Sequence, residues 1–176
     1  MAPPEGLAAR VAQAALLEGD FLLSSGKRSS FYVDKYLFST EPKLLREIAS
    51  AFGEALPQEV DLLAGVELGA VPLVVAVALG EGKPYVIARK GEKEYGTAKG
   101  IEGRFSPGQR VALLEDVVTT GTQAVAAAER LERAGLRVAG IFAVLDRRED
   151  RTQRRLGGFP FEALLTLEEL RVEKGI

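Results

Sequence analysis

Hydrophobic positions recur along this chain at two different spacings, and the change from one to the other divides it. From Leu7 to Glu18 an Ala-rich run is amphipathic at helical spacing and predicts an opening helix that Gly19 ends. A polar stretch, Ser24 to Ser30, leads into the aromatic-rich segment Phe31 to Phe38. Pro42 to Leu56 again has helical spacing, with Leu44, Leu45, Ile48, Ala49 and Phe52 on one face and Pro42 suited to a first turn. After Val60 short apolar runs take over: Asp61 to Ala64, Tyr85 to Ala88, Val111 to Leu114, Val138 to Leu145 and Ala163 to Leu165. Helical segments lie between them at Val71 to Leu79 and at Gln123 to Ala134, the latter stopped by Gly135. Buried strands alternating with helices predict an α/β fold, a central parallel sheet covered on both faces. Lys90 to Pro107 fits neither period and holds five Gly and Pro residues, so it predicts a long loop of the kind that serves function.

Length and composition narrow the chemistry. At 176 residues the chain has the length of one domain that can bury a continuous core without staples, and no internal repeat or low-complexity linker divides it. A formal net charge of -2 does not point to nucleic acid or an anionic membrane as partner, so any phosphate affinity must be local. The longest apolar run, Val71 to Leu79, is too short to span a bilayer, and Met1 to Gly6 lacks the regions of a signal peptide, so a cytoplasmic location is expected. The chain has no Cys and no His, which removes disulfides, thiolate nucleophiles, His-based triads and most zinc sites. Carboxylates, Lys, Arg, Tyr, hydroxyls, backbone amides and a hard cation remain, a set suited to phosphate chemistry.

One segment concentrates that chemistry. In Arg110-Val-Ala-Leu-Leu-Glu115-Asp116-Val117-Val118-Thr119-Thr120-Gly121-Thr122 a buried strand is expected to end in two acids and turn through a Thr/Gly loop into a helix. Backbone amides from Thr119 to Gln123, at a helix N-terminus, favour a phosphate monoester, and Gly121 lets the backbone come close. Glu115 and Asp116 would repel phosphate but accept hydrogen bonds from vicinal hydroxyls such as those of ribose. The bland alternative is two acids and capping threonines before an ordinary helix. Neither Gly-x-x-x-x-Gly-Lys-Ser/Thr nor Gly-x-Gly-x-x-Gly occurs, which disfavours P-loop hydrolysis and dinucleotide binding.

The run Leu113-Leu-Glu-Asp-Val-Val-Thr-Thr-Gly-Thr122 closely resembles the diphosphoribosyl-binding motif of the type I phosphoribosyltransferases. Further segments, between Phe21 and about Glu149, resemble those of the orotate phosphoribosyltransferases within that group. Phe21 to Asp34 is similar to their N-terminal hood, Gly65-Val-Glu-Leu-Gly-Ala-Val-Pro72 to their diphosphate loop, Arg89 to Gly96 to their mobile catalytic loop, and Asp146 to Glu149 to their orotate-binding turn. Two positions depart from the pattern: Ser24 stands where many members carry Lys, and Tyr95 where many carry His.

The resemblance implies a type I phosphoribosyltransferase fold over residues 1–176, with a small hood to about residue 40 and a core from about 41. It implies transfer of the 5-phosphoribosyl group from 5-phosphoribosyl 1-diphosphate to orotate, giving orotidine 5-phosphate and diphosphate in de novo pyrimidine (UMP) biosynthesis. Magnesium would be held mainly through substrate oxygens, with no protein metal ligands, and a homodimer would share its active sites through the residue matching Lys90. By the same resemblance Lys90, Lys93, Glu115 and Asp116 are catalytic. The sugar donor would be bound by Arg89, Lys90, Lys93, Tyr95 and the run Glu115, Asp116, Val117, Val118, Thr119, Thr120, Gly121, Thr122 and Gln123. Orotate would meet Thr119, Arg147, Tyr32 and Val33. Read from the residues alone, Arg89 to Lys93 is more readily a solvated basic stretch, and Arg147 equally a member of a surface ion network with Arg148, Arg151, Arg154 and Arg155. Two rival functions stay open: a phosphoribosyltransferase for a purine or uracil, and a regulator that senses the sugar diphosphate without catalysis.

Overall fold

The computed structural model describes residues 3–22, 26, 28–91 and 100–176. Helix α1 (Leu7–Ala15) runs into an antiparallel hairpin, β1 (Leu16–Leu22) and β2 (Arg28–Val33), followed by a short α2 (Lys35–Ser39) and by α3 (Pro42–Ala55). The remainder alternates: β3 (Leu62–Val66), α4 (Val71–Glu81), β4 (Tyr85–Ala88), β5 (Ile101–Glu102), β6 (Arg110–Val118), α5 (Thr122–Arg133), β7 (Arg137–Asp146), β8 (Arg155–Leu156), β9 (Phe159–Thr166) and α6 (Leu167–Lys174). The seven-stranded sheet has the order β5-β4-β3-β6-β7-β9-β8. Its five central strands are parallel, and β5 and β8 close the two edges antiparallel.

The period of two along the strands explains why both faces are covered. On β6, Ala112 and Leu114 join the core formed with α1, α3, α4 and α6, while Val111 and Leu113 point to the opposite core, where Ala124, Ala127, Ala128 and Leu131 of α5 cover them. Strand β7 divides in the same way, Phe142 and Val144 against Ile141 and Ala143. Among the described residues no helix is long and apolar enough to cross a membrane.

Three expectations need correction, and one element was not expected. The opening helix ends at Ala15, not near Gly19, because Leu16 and Leu17 turn extended and pair with Val33 and Tyr32; strand pairing overrides the helical preference of the run. Strand β6 does not end in the acids but carries Glu115 and Asp116 inside it, since its ladder with β7 continues to Val118 and Asp146. The base of the long loop is partly ordered: Ile101 and Glu102 pair with Ala88 and Ile87, and Arg89 N donates to Gly100 O at 2.9 Å. Finally, α6 has no counterpart in the pattern reading, although Thr166 and Glu169 form a reciprocal capping box at its start.

Candidate active site

The turn from β6 into α5 is fixed by its neighbours. Val118 O accepts from Arg147 N at 2.8 Å, tying the end of β6 to the exit of β7. Gly121 has φ 80° and precedes α5 without a side-chain cap, so the helix starts with its amides facing the turn. Thr119, Thr120, Thr122 and Gln123 are exposed, with Thr120 Oγ1 and Thr122 Oγ1 3.0 Å apart. Thr122 N donates to Thr120 Oγ1 at 3.4 Å. The arrangement suits a phosphate: hydroxyls and helix N-terminal amides converge where a helix dipole is positive.

Behind the turn lie the two acids. Glu115 is 8% and Asp116 2% exposed. Burial first, and then the negative charge of Asp116, pushes the Glu115 carboxyl up to about 8, so it keeps its proton at neutral pH. Asp116 Oδ1 accepts from Val117 N at 2.6 Å, and Oδ2 lies 2.7 Å from Lys35 Nζ. Burial opposes the charge on Lys35, and the contact with Asp116 outweighs it, so the ammonium is held above its ordinary value.

The basic residues fare unequally. Arg89 leaves β4 between Glu67 and Glu102, with guanidinium nitrogens 3.6 Å and 3.7 Å from their carboxylates. Glu67 also accepts from Lys90 N at 2.6 Å, so one acid stitches the loop after β3 to the exit of β4. The Lys90 side chain is exposed beside this junction. Lys93 and Tyr95 lie outside the described residues. At the exit of β7, Arg148 grips Asp146 through Nε at 3.0 Å and Nη2 at 2.9 Å and lies over the Phe161 ring at 4.4 Å. Arg147 is in none of these contacts: its Nε is buried without a protein hydrogen bond, and burial lowers its pKa against the pull of nearby Tyr32. Arg148 is therefore held by Asp146, while no protein hydrogen bond holds Arg147 Nε. Tyr32 is half exposed beside the Phe21 ring at 5.6 Å, and Val33 is buried.

This geometry has counterparts in known proteins. The model of the phosphoribosyl transferase domain matches residues 39–156. The orotate phosphoribosyltransferase of Haloquadratum walsbyi is 46% identical over 160 residues, 90% of this chain and 87% of that protein. The chain belongs to the orotate phosphoribosyltransferase family. The crystal structure of the orotate phosphoribosyltransferase from Aeropyrum pernix superimposes with a TM-score of 0.84 at 30% identity, covering 96% of this chain and 98% of the other. The Mycobacterium tuberculosis orotate phosphoribosyltransferase in complex with 5-phospho-alpha-D-ribosyl 1-diphosphate gives a TM-score of 0.76 at 27% identity, over 93% and 96% of the two chains.

Within this orotate phosphoribosyltransferase family member, the described candidates gather around the carboxyl ends of β4, β6 and β7. Sequence reasoning missed two residues that contact the candidates. Glu67 had a signal, being the single charge of the segment Gly65 to Pro72. Lys35 had none: it precedes the span matched to the family model and reaches Asp116 only through folding.

Proposed function

We propose that the protein catalyses transfer of the 5-phosphoribosyl group from 5-phosphoribosyl 1-diphosphate to orotate, forming orotidine 5-phosphate and diphosphate. The observation that carries the reading is Arg147, a half-buried guanidinium whose Nε is buried without a protein hydrogen bond beside the phosphate-type turn of a member of this family. The amides and hydroxyls of Thr119 to Gln123 hold the 5-phosphate, and the Glu115/Asp116 pair takes the ribose hydroxyls, Asp116 as acceptor and protonated Glu115 as a donor as well. As the anomeric bond to diphosphate breaks, positive charge grows on the ribose and negative charge on the leaving oxygens. Asp116 stabilises the first, and Lys90 and Lys93 the second, with Arg89 held beside them by Glu67 and Glu102. Arg147 pairs with the orotate carboxylate in bidentate fashion, with Thr119, Tyr32 and Val33 bounding the ring.

Magnesium fits this donor set as an ion carried on the donor's own oxygens: Asp116 is already paired with Lys35, and a diphosphate brings the hard oxygens such an ion prefers. When bound, it neutralises charge on the leaving diphosphate. A homodimer is part of the same reading. Helix α4 is apolar on every side, and at its outer surface Leu79 is 80% and the preceding Leu68 64% exposed, as in a helix that buries its second face against another chain. The test is product analysis with orotate, uracil and purines competing for one sugar donor. Exclusive formation of orotidine 5-phosphate is expected; a purine or uracil nucleotide as main product would overturn the acceptor assignment.

A further inference from the structure

The segment Gly65 to Pro72 contains one acid and no base, an unusual composition for a loop that borders a diphosphate. Its Gly69 does not adopt a left-handed φ, so backbone conformation is not what requires glycine there. Space does: a Cβ at Gly69 would lie 1.5 Å from Asp116 Oδ2 and 2.9 Å from Lys35 Nζ. Three separate parts of the chain therefore meet at one ion pair. Helix α2 brings Lys35, with Asp34 capping the helix through Tyr36 N at 3.1 Å; β6 brings Asp116; and the loop after β3 makes room by having no side chain.

We propose that Lys35 is a positioning residue of the ribose pocket, fixing the Asp116 carboxylate against Gly69 so that its remaining lone pairs meet the hydroxyls of the sugar diphosphate in one orientation. A carboxylate offers about four acceptor sites. Val117 N occupies one on Oδ1, and Lys35 Nζ lies against Oδ2, which is buried beside Gly69, so the acceptor site left for a ribose hydroxyl is on Oδ1. Lys35 also supplies positive charge to a loop that has none, beside the place where the diphosphate departs. The charged and titratable groups facing the pair are Glu115, from the same strand, and Tyr36, whose ring lies 5.6 Å from Lys35 Nζ. This inference rests on the sugar-diphosphate reading of the site, and it assigns a role to a residue outside the span of the family model.

The test compares Lys35→Met, Gly69→Ala and the double variant with the wild-type protein. Loss of one charge-assisted contact is expected to lower kcat/KM for 5-phosphoribosyl 1-diphosphate about tenfold in Lys35→Met, with the Michaelis constant for orotate within about twofold. Gly69→Ala is expected to give a similar split, and the double variant to be no worse than the poorer single one, because both disturb one contact. Equal losses toward both substrates, or fully additive losses, would overturn the proposal, since they would mean that Lys35 only shapes the neighbouring segment that borders orotate. Carboxyl NMR titration without substrate gives an independent reading. Lys35 draws the Glu115 carboxyl down, so its removal is expected to move that titration upward, and an unmoved titration would overturn the proposal. A wild-type protein that formed no orotidine 5-phosphate would defeat the functional reading instead, while the titration would still decide whether Lys35 controls the carboxyl pair.

Discussion

The turn from β6 into α5 and the exit from β4 sit at the carboxyl ends of strands in one parallel sheet, and they are built on opposite plans. The first is assembled from consecutive residues, Glu115 to Gln123, whose amides, hydroxyls and acids all face one place because strand, glycine turn and helix follow directly. The second carries strong cations, but Glu67 and Glu102 already hold Arg89, leaving Lys90 exposed at the junction. A contiguous motif delivers a geometry, whereas a run of charge delivers only candidates, and distant carboxylates decide which of them are available. The exit of β7 repeats the lesson within two residues, where Asp146 holds Arg148 and leaves Arg147 unspent.

If the contiguous turn is the centre of the chemistry, its ionised acid should be the most sensitive position. Asp116→Asn is expected to lower kcat/KM by about a hundredfold or more, with melting unchanged within a few degrees, because a transition-state charge loses its partner. Steady-state rates and a melting curve on the same preparation check this, and full activity would remove the ribose assignment.

The two adjacent arginines should separate cleanly. Arg147→Ala is expected to raise the Michaelis constant for orotate roughly thirtyfold, with calorimetric affinity for the sugar donor nearly unchanged, since a carboxylate buried without its guanidinium costs several kcal/mol. Arg148→Ala should do the reverse. It leaves Asp146 unpaired and buried, costing on the order of 3 kcal/mol of stability, and spares orotate binding. An even loss toward both substrates in Arg147→Ala would return that residue to a structural role.

Exposed Lys90 tests the second plan. Lys90→Ala is expected to lower turnover about tenfold through the leaving diphosphate. If it acts across a dimer, mixing it with Asp116→Asn should regain activity through hybrids that hold one intact site. Verified subunit exchange with no regain would confine Lys90 to its own chain.

The buried acid pair predicts a stability effect of definite sign. The unfolded chain ionises Glu115 near 4.5, while the folded protein keeps the proton up to about 8. Between those values the folded state binds more protons, so this contribution is fully present below the unfolded value and is lost as pH rises through the window. Glu115→Gln removes the loss, and its melting temperature relative to wild type should rise by ~5 °C from about pH 5 to about pH 8. A flat difference would show that the carboxyl is ionised throughout. The smallest effect is expected at the stitch: Glu67→Gln should slow turnover about threefold by weakening the Arg89 and Lys90 contacts, each of them solvent-facing.

The sequence by itself determined the alternation of strands and helices after Val60, the Thr/Gly turn from β6 into α5, and the exclusion of thiol and imidazole chemistry. Those features depend on neighbours in the chain: side-chain period, the positive φ that glycine allows at a turn, and the presence or absence of a residue type. The end of α1 was not legible because Leu16 and Leu17 satisfy a helical face and a strand equally well, and only pairing with Tyr32 and Val33 decides between them. The partition of charge was illegible for the same reason. Lys35 and Asp116 are distant in sequence, as are Glu67 and Arg89, and Coulomb attraction acts through space with no period to mark it. Only the tertiary structure buries Glu115 beside Asp116 and raises its carboxyl, assigns Lys35 to the pair and leaves Arg147 free, because desolvation and ion pairing exist only once the strands have brought these side chains out of water and into contact.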